Sequence, residues 1–185
     1  MATGHTDPRR RERILTAALD LIAEEGIQRV SHRKIAARAG VPLGSTTYYF
    51  SGMDELLRAA FRHFTDHIVA VFDACLSTPS DPDQARHAVA DLVHALSEGS
   101  GRDLVLTQEL YTLAARQPAY RELTQEWMRR SRLHLEKHFD PGTARQLDAL
   151  IEGLTLHRAL SHEPHDRALT LEAVHRITTT GQRAS

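Results

Sequence analysis

Apolar residues recur along most of the chain at the spacing of amphipathic helices. In the first stretch, Ile14, Leu15, Ala18, Leu21 and Ile22 lie at positions i, i+1, i+4, i+7 and i+8, which places them on one helix face. No stretch alternates apolar and polar residues for long enough to predict a strand. The pattern therefore predicts an all-α protein.

Prolines, caps and glycines set the predicted helix boundaries. Asp7-Pro8 and Asp140-Pro141 each combine a capping acid with proline at the first helical position. Ser31 is expected to cap a short helix that stops at Gly40, and Ser51-Gly-Met-Asp54 reads as a capping box with Asp in place of Glu. The nine predicted helices span about 8–25, 31–39, 42–48, 51–76, 82–97, 103–115, 118–138, 142–161 and 167–179.

Composition narrows the function classes. The chain has 185 residues and a net charge of −1, which excludes wrapping nucleic acid over the whole surface. Residues 1–50 hold eight basic and five acidic side chains, a charge of +3, whereas the rest holds 15 and 19, a charge of −4. A lone cysteine, Cys75, excludes an internal disulfide. With no apolar run long enough for a membrane span and no apolar leader, we expect a cytoplasmic protein that does not engage a membrane.

A helix-turn-helix pattern lies between Ser31 and Phe50, which read SHRKIAARAGVPLGSTTYYF. Gly40 can adopt the positive φ that the turn requires. The second helix then presents Gly44, Ser45 and Thr47, small or hydroxylated residues that allow close approach to a major groove. Helix–Gly–helix corners are also common in structural proteins, so the spacing alone is only moderately specific.

The stretch from about Arg10 to Phe61 closely resembles the DNA-binding head of TetR-family transcriptional repressors. The matching segments are ILTAALDLIAEEG, IAARAGV, LGSTTYYF and the DELL that follows. The resemblance implies a helix-turn-helix DNA-binding domain over residues 1–52 and a ligand-binding and dimerisation domain over residues 53–185. It implies a base contact from Arg33, phosphate contacts from Ser31, His32, Tyr48 and Tyr49, and groove-facing positions for Leu43, Gly44, Ser45 and Thr47.

Three features depart from this pattern or leave it open. Met53 occupies a position where many family members place Lys, so one phosphate contact is either missing or made by backbone N–H groups. Thr46 and Thr47 replace a usual Leu-Tyr pair. The cluster Arg9-Arg10-Arg11 with Arg13 is either the solvated start of the first helix or a flexible arm on DNA.

For the ligand-binding and dimerisation domain over residues 53–185, called the body below, the resemblance implies a small-molecule effector held among the helices. Polar residues on apolar stripes are the candidates, because ligand pockets are mostly apolar with a few placed polar groups. The alternative is ordinary core or surface positions. The predicted ligand-binding residues are Phe64, His67, Glu109, Trp127, Ser131 and His134, with His157 and Arg158 as further candidates.

Metal binding and catalysis have weaker support. His134 and His138 stand at i and i+4, which can chelate a metal ion, but spacing supplies no third ligand. The chain has no nucleophile elbow, no phosphate-binding glycine loop and no His-Glu zinc helix. We therefore expect no cofactor, no metal and no enzymatic activity.

The last two predicted helices are candidates for a homodimer interface, because each carries an apolar stripe and a two-fold pair of heads can read a palindrome. The alternative is that the stripes cover the core of one subunit. The sequence thus predicts a homodimeric, ligand-responsive repressor that binds double-stranded DNA. The rival hypothesis is a helical small-molecule-binding protein whose head no longer binds DNA. The stripe residues are Leu147, Leu150, Ile151, Leu154 and Arg158, then Leu169, Ala173, Val174 and Ile177.

Overall fold

The computed structural model describes residues 8–98, 101–163 and 166–180. Within these residues the chain forms nine α-helices and no strand, as the hydrophobic pattern predicts. The helices are α1 (Pro8–Glu25), α2 (His32–Ala39), α3 (Leu43–Tyr49), α4 (Met53–Leu76), α5 (Pro82–Glu98), α6 (Gly101–Arg116), α7 (Pro118–Leu135), α8 (Pro141–Leu160) and α9 (Arg167–Thr180).

Two of the predicted caps are confirmed. The Ser31 hydroxyl accepts a hydrogen bond from the N–H of Lys34 at 3.3 Å, which satisfies one of the free donors at the start of α2. The Asp140 carboxylate accepts from the N–H groups of Gly142 and Thr143 at the start of α8. The predicted cap at Asp7 lies outside the described residues.

Three local predictions need correction. At the start of α4 the partner of Ser51 is Glu55 and not Asp54, because Glu55 accepts from both the N–H and the hydroxyl of Ser51. The N-cap residue itself is Gly52. Helix α7 ends at Leu135, three residues early, and the following turn brings His138 to the carbonyl of Leu76 at 2.8 Å. A 3-10 turn at Ile27–Arg29, which the sequence pattern did not predict, joins α1 to α2.

The head does not fold around a core of its own. Helix α1 is buried on several sides, with Ile14, Ala18 and Ile22 fully inaccessible to solvent, because α2, α4 and α6 all pack on it. Leu56 and Phe61 of α4 belong to the same continuous core. The head therefore depends on α4 for its core, and α6 adds a second support.

The predicted dimer stripes on α8 and α9 divide between two environments. Leu147, Ile151 and Val174 are buried within the subunit, since α5 packs on both helices, so they cannot form an exposed interface. The sequence pattern alone could not separate these positions from exposed ones. The stripe residues that keep some solvent exposure are Leu150, Leu154, Arg158, Leu169, Ala173 and Ile177.

Candidate nucleic-acid interface and effector cavity

Ion pairs fix the first helix of the helix-turn-helix on α1. The guanidinium of Arg38 donates to the carboxylate of Glu24 through two nitrogens, with Nη1 2.8 Å from Oε1. This contact lowers the pKa of the Glu24 carboxyl. Lys34 pairs with Glu25 one residue further along α1. These contacts orient α2 and therefore the helix that follows it.

The turn between α2 and α3 depends on one left-handed residue. Gly40 has φ 61° and ψ 42°, and its N–H caps the last carbonyls of α2. Val41 then packs against the core, and α3 begins two residues later. The geometry is that of a helix-turn-helix.

Helix α3 has a buried side and an exposed side. Thr46 is fully buried, its hydroxyl donating to the carbonyl of Leu43 at 2.8 Å, and Phe50 follows as a buried anchor. The helix is thereby held on one side by two residues one turn apart, which leaves its other side to solvent. The predicted groove-facing and phosphate-contacting residues that are exposed are Leu43, Gly44, Thr47 and Tyr48, with Ser45 and Tyr49 half-buried.

The start of α2 completes this surface. Arg33 is exposed, whereas Ser31 and His32 are half-buried. Arg11 belongs to α1, with its guanidinium 5.3 Å from the centre of the Phe50 ring, so the arginine cluster from Arg9 onward forms part of a helix. This favours the solvated helix start over the flexible arm.

The departure at Met53 also has a structural reason. Its side chain packs against the hydrophobic core, so this position contributes burial at the start of α4. The neighbouring backbone N–H of Ser51 is held by Glu55 at 2.7 Å. Met53 therefore supports the base of α4.

The structure does not bring the six predicted ligand residues together. Trp127 and Ser131 line a cavity in the body, whereas Phe64 is not in the lining and contacts Trp127 edge-to-face, with 6.3 Å between centroids. His67 is exposed. The other predicted residues lie elsewhere: Glu109 faces the head, His134 pairs with Asp73, and neither His157 nor Arg158 is in the cavity lining.

The cavity lies among the five helices from α4 to α8 and has a volume of about 210 Å³. Ile68 and Phe72 of α4 give it an apolar wall. The sequence pattern did not identify Tyr111, Asp148 and Glu152, which contribute one aromatic ring and two carboxylates to the cavity lining. The available signal was the i, i+4 pair of acids on α8, which lies beside the apolar stripe of that helix.

Burial shapes the electrostatics of the cavity. It raises the pKa of Asp148 to about 6, with the negative charge of Glu152 acting in the same direction and Arg132, at 3.4 Å, opposing both. The pKa of Tyr111 is also raised, first by burial and then by the charge of Glu152, to which its hydroxyl hydrogen-bonds. Tyr111 is therefore a neutral donor at physiological pH.

The two spaced histidines do not converge on one point. His138 contacts the carbonyl of Leu76, and His134 contacts Asp73 at 3.1 Å. Across the described ranges, the structure shows no group of three or more His, Cys, Asp or Glu side chains arranged to hold a metal ion. In the same ranges no helix has the length and apolar character that crossing a membrane requires.

Two family models match the chain. Residues 14–60 match the model described as "Bacterial regulatory proteins, tetR family". Residues 80–180 match "Tetracyclin repressor-like, C-terminal domain". The first covers the helix-turn-helix and its supports, and the second covers the helices from α5 to α9.

Individual proteins give the same result. The HTH-type transcriptional regulator BetI from Klebsiella pneumoniae (strain 342) is 30% identical over 88% of this chain and 88% of its own length. Among solved structures, SCO7518 from Streptomyces coelicolor A3(2) is 80% identical, with a TM-score of 0.87 over 93% of this chain and 99% of that one. The multidrug binding protein EbrR, complexed with imidazole, is 36% identical, with a TM-score of 0.77 over 93% and 96%. EbrR is also described in complexes with ethidium, malachite green and proflavin.

Proposed function

The chain belongs to the TetR family of transcriptional regulators, and we propose that it is a homodimeric repressor that binds a palindromic operator through α3. A small molecule that binds in the body changes this DNA binding. The observation that carries the proposal is the exposed side of α3. It presents Leu43, Gly44 and Thr47 to solvent on a helix whose opposite side is anchored in the core. A helix presented in this way can enter a major groove.

The residues around α3 divide by chemistry into base-reading and backbone-binding groups. Arg33 can donate two hydrogen bonds to a guanine, and the methyl group of Thr47 can contact a thymine. The hydroxyls of Tyr48 and Tyr49 suit phosphate oxygens, as does the start of α2. Tyr48 is 71% exposed and stacks edge-on with Tyr49, which keeps its hydroxyl at the surface.

A dimer follows from the size of one head. A single short recognition helix offers few base contacts, and two heads spaced by about one turn of DNA, roughly 34 Å, read two half-sites. Helices α8 and α9 are the proposed interface because they keep exposed leucines at Leu160 and Leu169. A contiguous exposed apolar patch, unlike a single exposed side chain, is typical of a protein–protein interface, and we expect these leucines to form such a patch with the half-buried Leu150, Leu154 and Ile177.

An effector in the cavity has two physical routes to the head. Helix α4 contributes Ile68 and Phe72 to the cavity wall, and its first turn follows directly on α3. Helix α6 contributes Tyr111 to the cavity and also holds the head, through Arg102 to Asp20 at 2.9 Å. The dye complexes of the relative EbrR support a small-molecule ligand for this body. A ligand acts on DNA binding only by its difference in affinity for the two arrangements of the heads.

DNA binding is tested with the purified full-length chain and a labelled fragment of its own promoter, by fluorescence anisotropy at several salt concentrations. We expect selective binding that weakens steeply with salt, because phosphate contacts release counterions. Arg33→Ala and Thr47→Ala are each expected to weaken specific binding by about tenfold. Arg116→Ala on α6 is the control, since it removes the same charge as Arg33→Ala from an exposed position in the body.

The outcome separates the proposal from its rival. If Arg33→Ala and Thr47→Ala leave the affinity unchanged, or if the wild type shows no sequence preference, the helix-turn-helix of α2 and α3 does not read DNA. The chain would then be a helical small-molecule-binding protein with an inactive head.

A further inference from the structure

The charge on the cavity wall has one sign. Three lining residues carry carboxylates, namely Asp103, Asp148 and Glu152, and the described lining residues include no Lys, Arg or His. Arginines outside the lining offset two of these acids in part, because Arg102 contacts Asp103 at 3.2 Å and Arg132 contacts Asp148 at 3.4 Å. The cavity therefore has a negative potential and disfavours an anion.

Two of these acids lie close together on α8. Asp148 and Glu152 are one turn apart, so their carboxylates share a helix face and repel each other. The deeper one, Asp148, has an 18% exposed side chain, and burial raises its pKa. A positive charge placed between the two carboxylates would relieve both the repulsion and the cost of burial.

The aromatic part of the cavity lining lies beside these acids, since the Tyr111 hydroxyl hydrogen-bonds to Glu152. The rings of Tyr111 and Trp127 stack with an interplanar angle of 20° and 5.9 Å between centroids. Phe72 adds a third ring to the lining. The inner faces of the two rings cover each other, but an outer face of the pair can attract both a flat aromatic molecule and a cation, since the face of an aromatic ring carries negative charge.

We propose that the cavity binds a planar aromatic cation, with its ring against Tyr111 and Trp127 and its positive charge beside Asp148 and Glu152. The inference rests on the proposed function, because it names the chemical class of the effector for the same cavity. The volume, about 210 Å³, lies below the range of about 300–1,000 Å³ that is usual for drug-sized ligands. This favours a ligand of two or three fused rings.

Trp127 makes binding directly measurable. It is the single tryptophan of the chain, so quenching of the intrinsic fluorescence reports on the cavity. The titrations use full-length protein without DNA and three tricyclic probes at about pH 7.5, where ordinary carboxylates are ionised. Proflavin is the cationic probe, acridine the neutral probe of the same shape, and anthracene-2-carboxylate the anionic probe. Calorimetry gives the stoichiometry.

We expect proflavin to bind at least about tenfold more tightly than acridine, and the anion more weakly than either. Glu152→Gln and Asp148→Asn are each expected to weaken proflavin by about tenfold while acridine changes little, because the amides keep the shape and remove the charge. Glu136→Gln is the matched control, since it removes the same charge from an exposed position after α7. Tyr111→Leu is expected to weaken proflavin and acridine together, because it removes the ring platform.

Equal affinity for proflavin and acridine would overturn the proposal, as would preference for the anion or quenching by none of the probes. So would Glu152→Gln and Asp148→Asn variants that keep the wild-type ratio of affinities. Failure here and failure of the proposed function remain distinguishable. A protein that binds its promoter but ignores proflavin refutes only the effector class, and one that binds proflavin without binding DNA refutes only the regulator.

Discussion

Gly40 and Gly44 lie four residues apart at the helix-turn-helix, and only Gly40 has a backbone conformation that favours glycine. Gly40 has φ 61°, in the region that L side chains rarely adopt, whereas Gly44 lies inside α3 with open space where a Cβ would stand. Gly40→Ala is expected to destabilise the protein by roughly 1–2 kcal/mol, and Gly44→Ala to stabilise it by up to about 1 kcal/mol. Urea unfolding followed by circular dichroism measures both.

The same pair separates stability from DNA binding. The methyl group of Gly44→Ala would stand on the exposed side of α3, so this variant should bind the promoter more weakly despite being more stable. If Gly40→Ala proved as stable as the wild type, the turn would not require the left-handed conformation.

Asp148 contributes a pH dependence to stability. Burial raises its folded pKa from 3.8 to about 6, so its contribution to stability is fully present below the unfolded value and is lost as the pH rises through about 6. Asp148→Asn removes this loss, and is expected to be more stable than the wild type at about pH 8 by up to roughly 3 kcal/mol. Thermal unfolding between about pH 4 and pH 8 measures the difference.

The advantage of Asp148→Asn should shrink toward zero as the pH is lowered to the unfolded pKa. Glu136→Gln, at an exposed site, should show no such trend. A constant difference at all pH values would mean that Asp148 titrates normally. The charges that act on it are those of Arg132 on α7 and Glu152 on α8, and its own charge in turn raises the pKa of Tyr111 on α6.

At the scale of the helices, local sequence signals predicted almost all boundaries. Proline after a capping residue fixes a helix start through short-range geometry alone, and so α8 begins where Asp140-Pro141 predicts. The end of α7 was three residues off, because no glycine or proline marks it and the contact of His138 with Leu76 comes from another helix. The cavity was predicted only in part for the same reason, because Trp127 and Ser131 were expected in it but Tyr111 and Asp148 were not. Tyr111, Trp127 and Asp148 come from three helices, and no local pattern states which helix faces meet.

Helix α6 contacts both the cavity and the head, which only the packing of the helices could show. Its cavity side carries Tyr111, while its other sides hold the head through Arg102 to Asp20 and through Glu109, which accepts from the N–H of Ile27 at 3.4 Å. Glu109 was expected in a ligand pocket, and its position against the connection after α1 indicates a role in fixing the head. A single rigid helix therefore touches both functional regions.

Removing one of these contacts should loosen the head while leaving helix α8 unaffected. Arg102→Ala is expected to cost roughly 0.5–1 kcal/mol of local stability, because the ion pair is about two-thirds buried. Hydrogen exchange of the amides in α1 to α3 should become about twofold to fivefold faster, while that of α8 stays unchanged. Arg116→Ala at the other end of α6 is the control, and equal exchange in both variants would contradict a coupling role for Arg102.

At the scale of the whole molecule, the proposed dimer depends on which apolar side chains of α8 and α9 stay exposed in the folded subunit. An apolar stripe on a helix predicts burial but does not distinguish burial in the subunit from burial between subunits, and Leu147, Ile151 and Val174 turned out to be subunit core. The most exposed large apolar side chains on the last two helices are Leu160 and Leu169, which are 65% and 55% exposed. Leu169, which belongs to a predicted stripe, and Leu160, which does not, therefore test the dimer better than the buried stripe residues do.

The double variant Leu160→Glu and Leu169→Glu would place four like charges across a two-fold interface of α8 and α9, so it should dissociate the dimer. Light scattering should then give the mass of one 20.7 kDa chain where the wild type gives twice that mass. Promoter affinity should fall by at least about 100-fold, because the second head no longer binds at a high effective concentration. Leu133→Glu, on α7 and 47% exposed, is the control and should remain dimeric. A wild type with the mass of one chain would refute the homodimer, and a double variant that keeps twice that mass would place the interface on another surface.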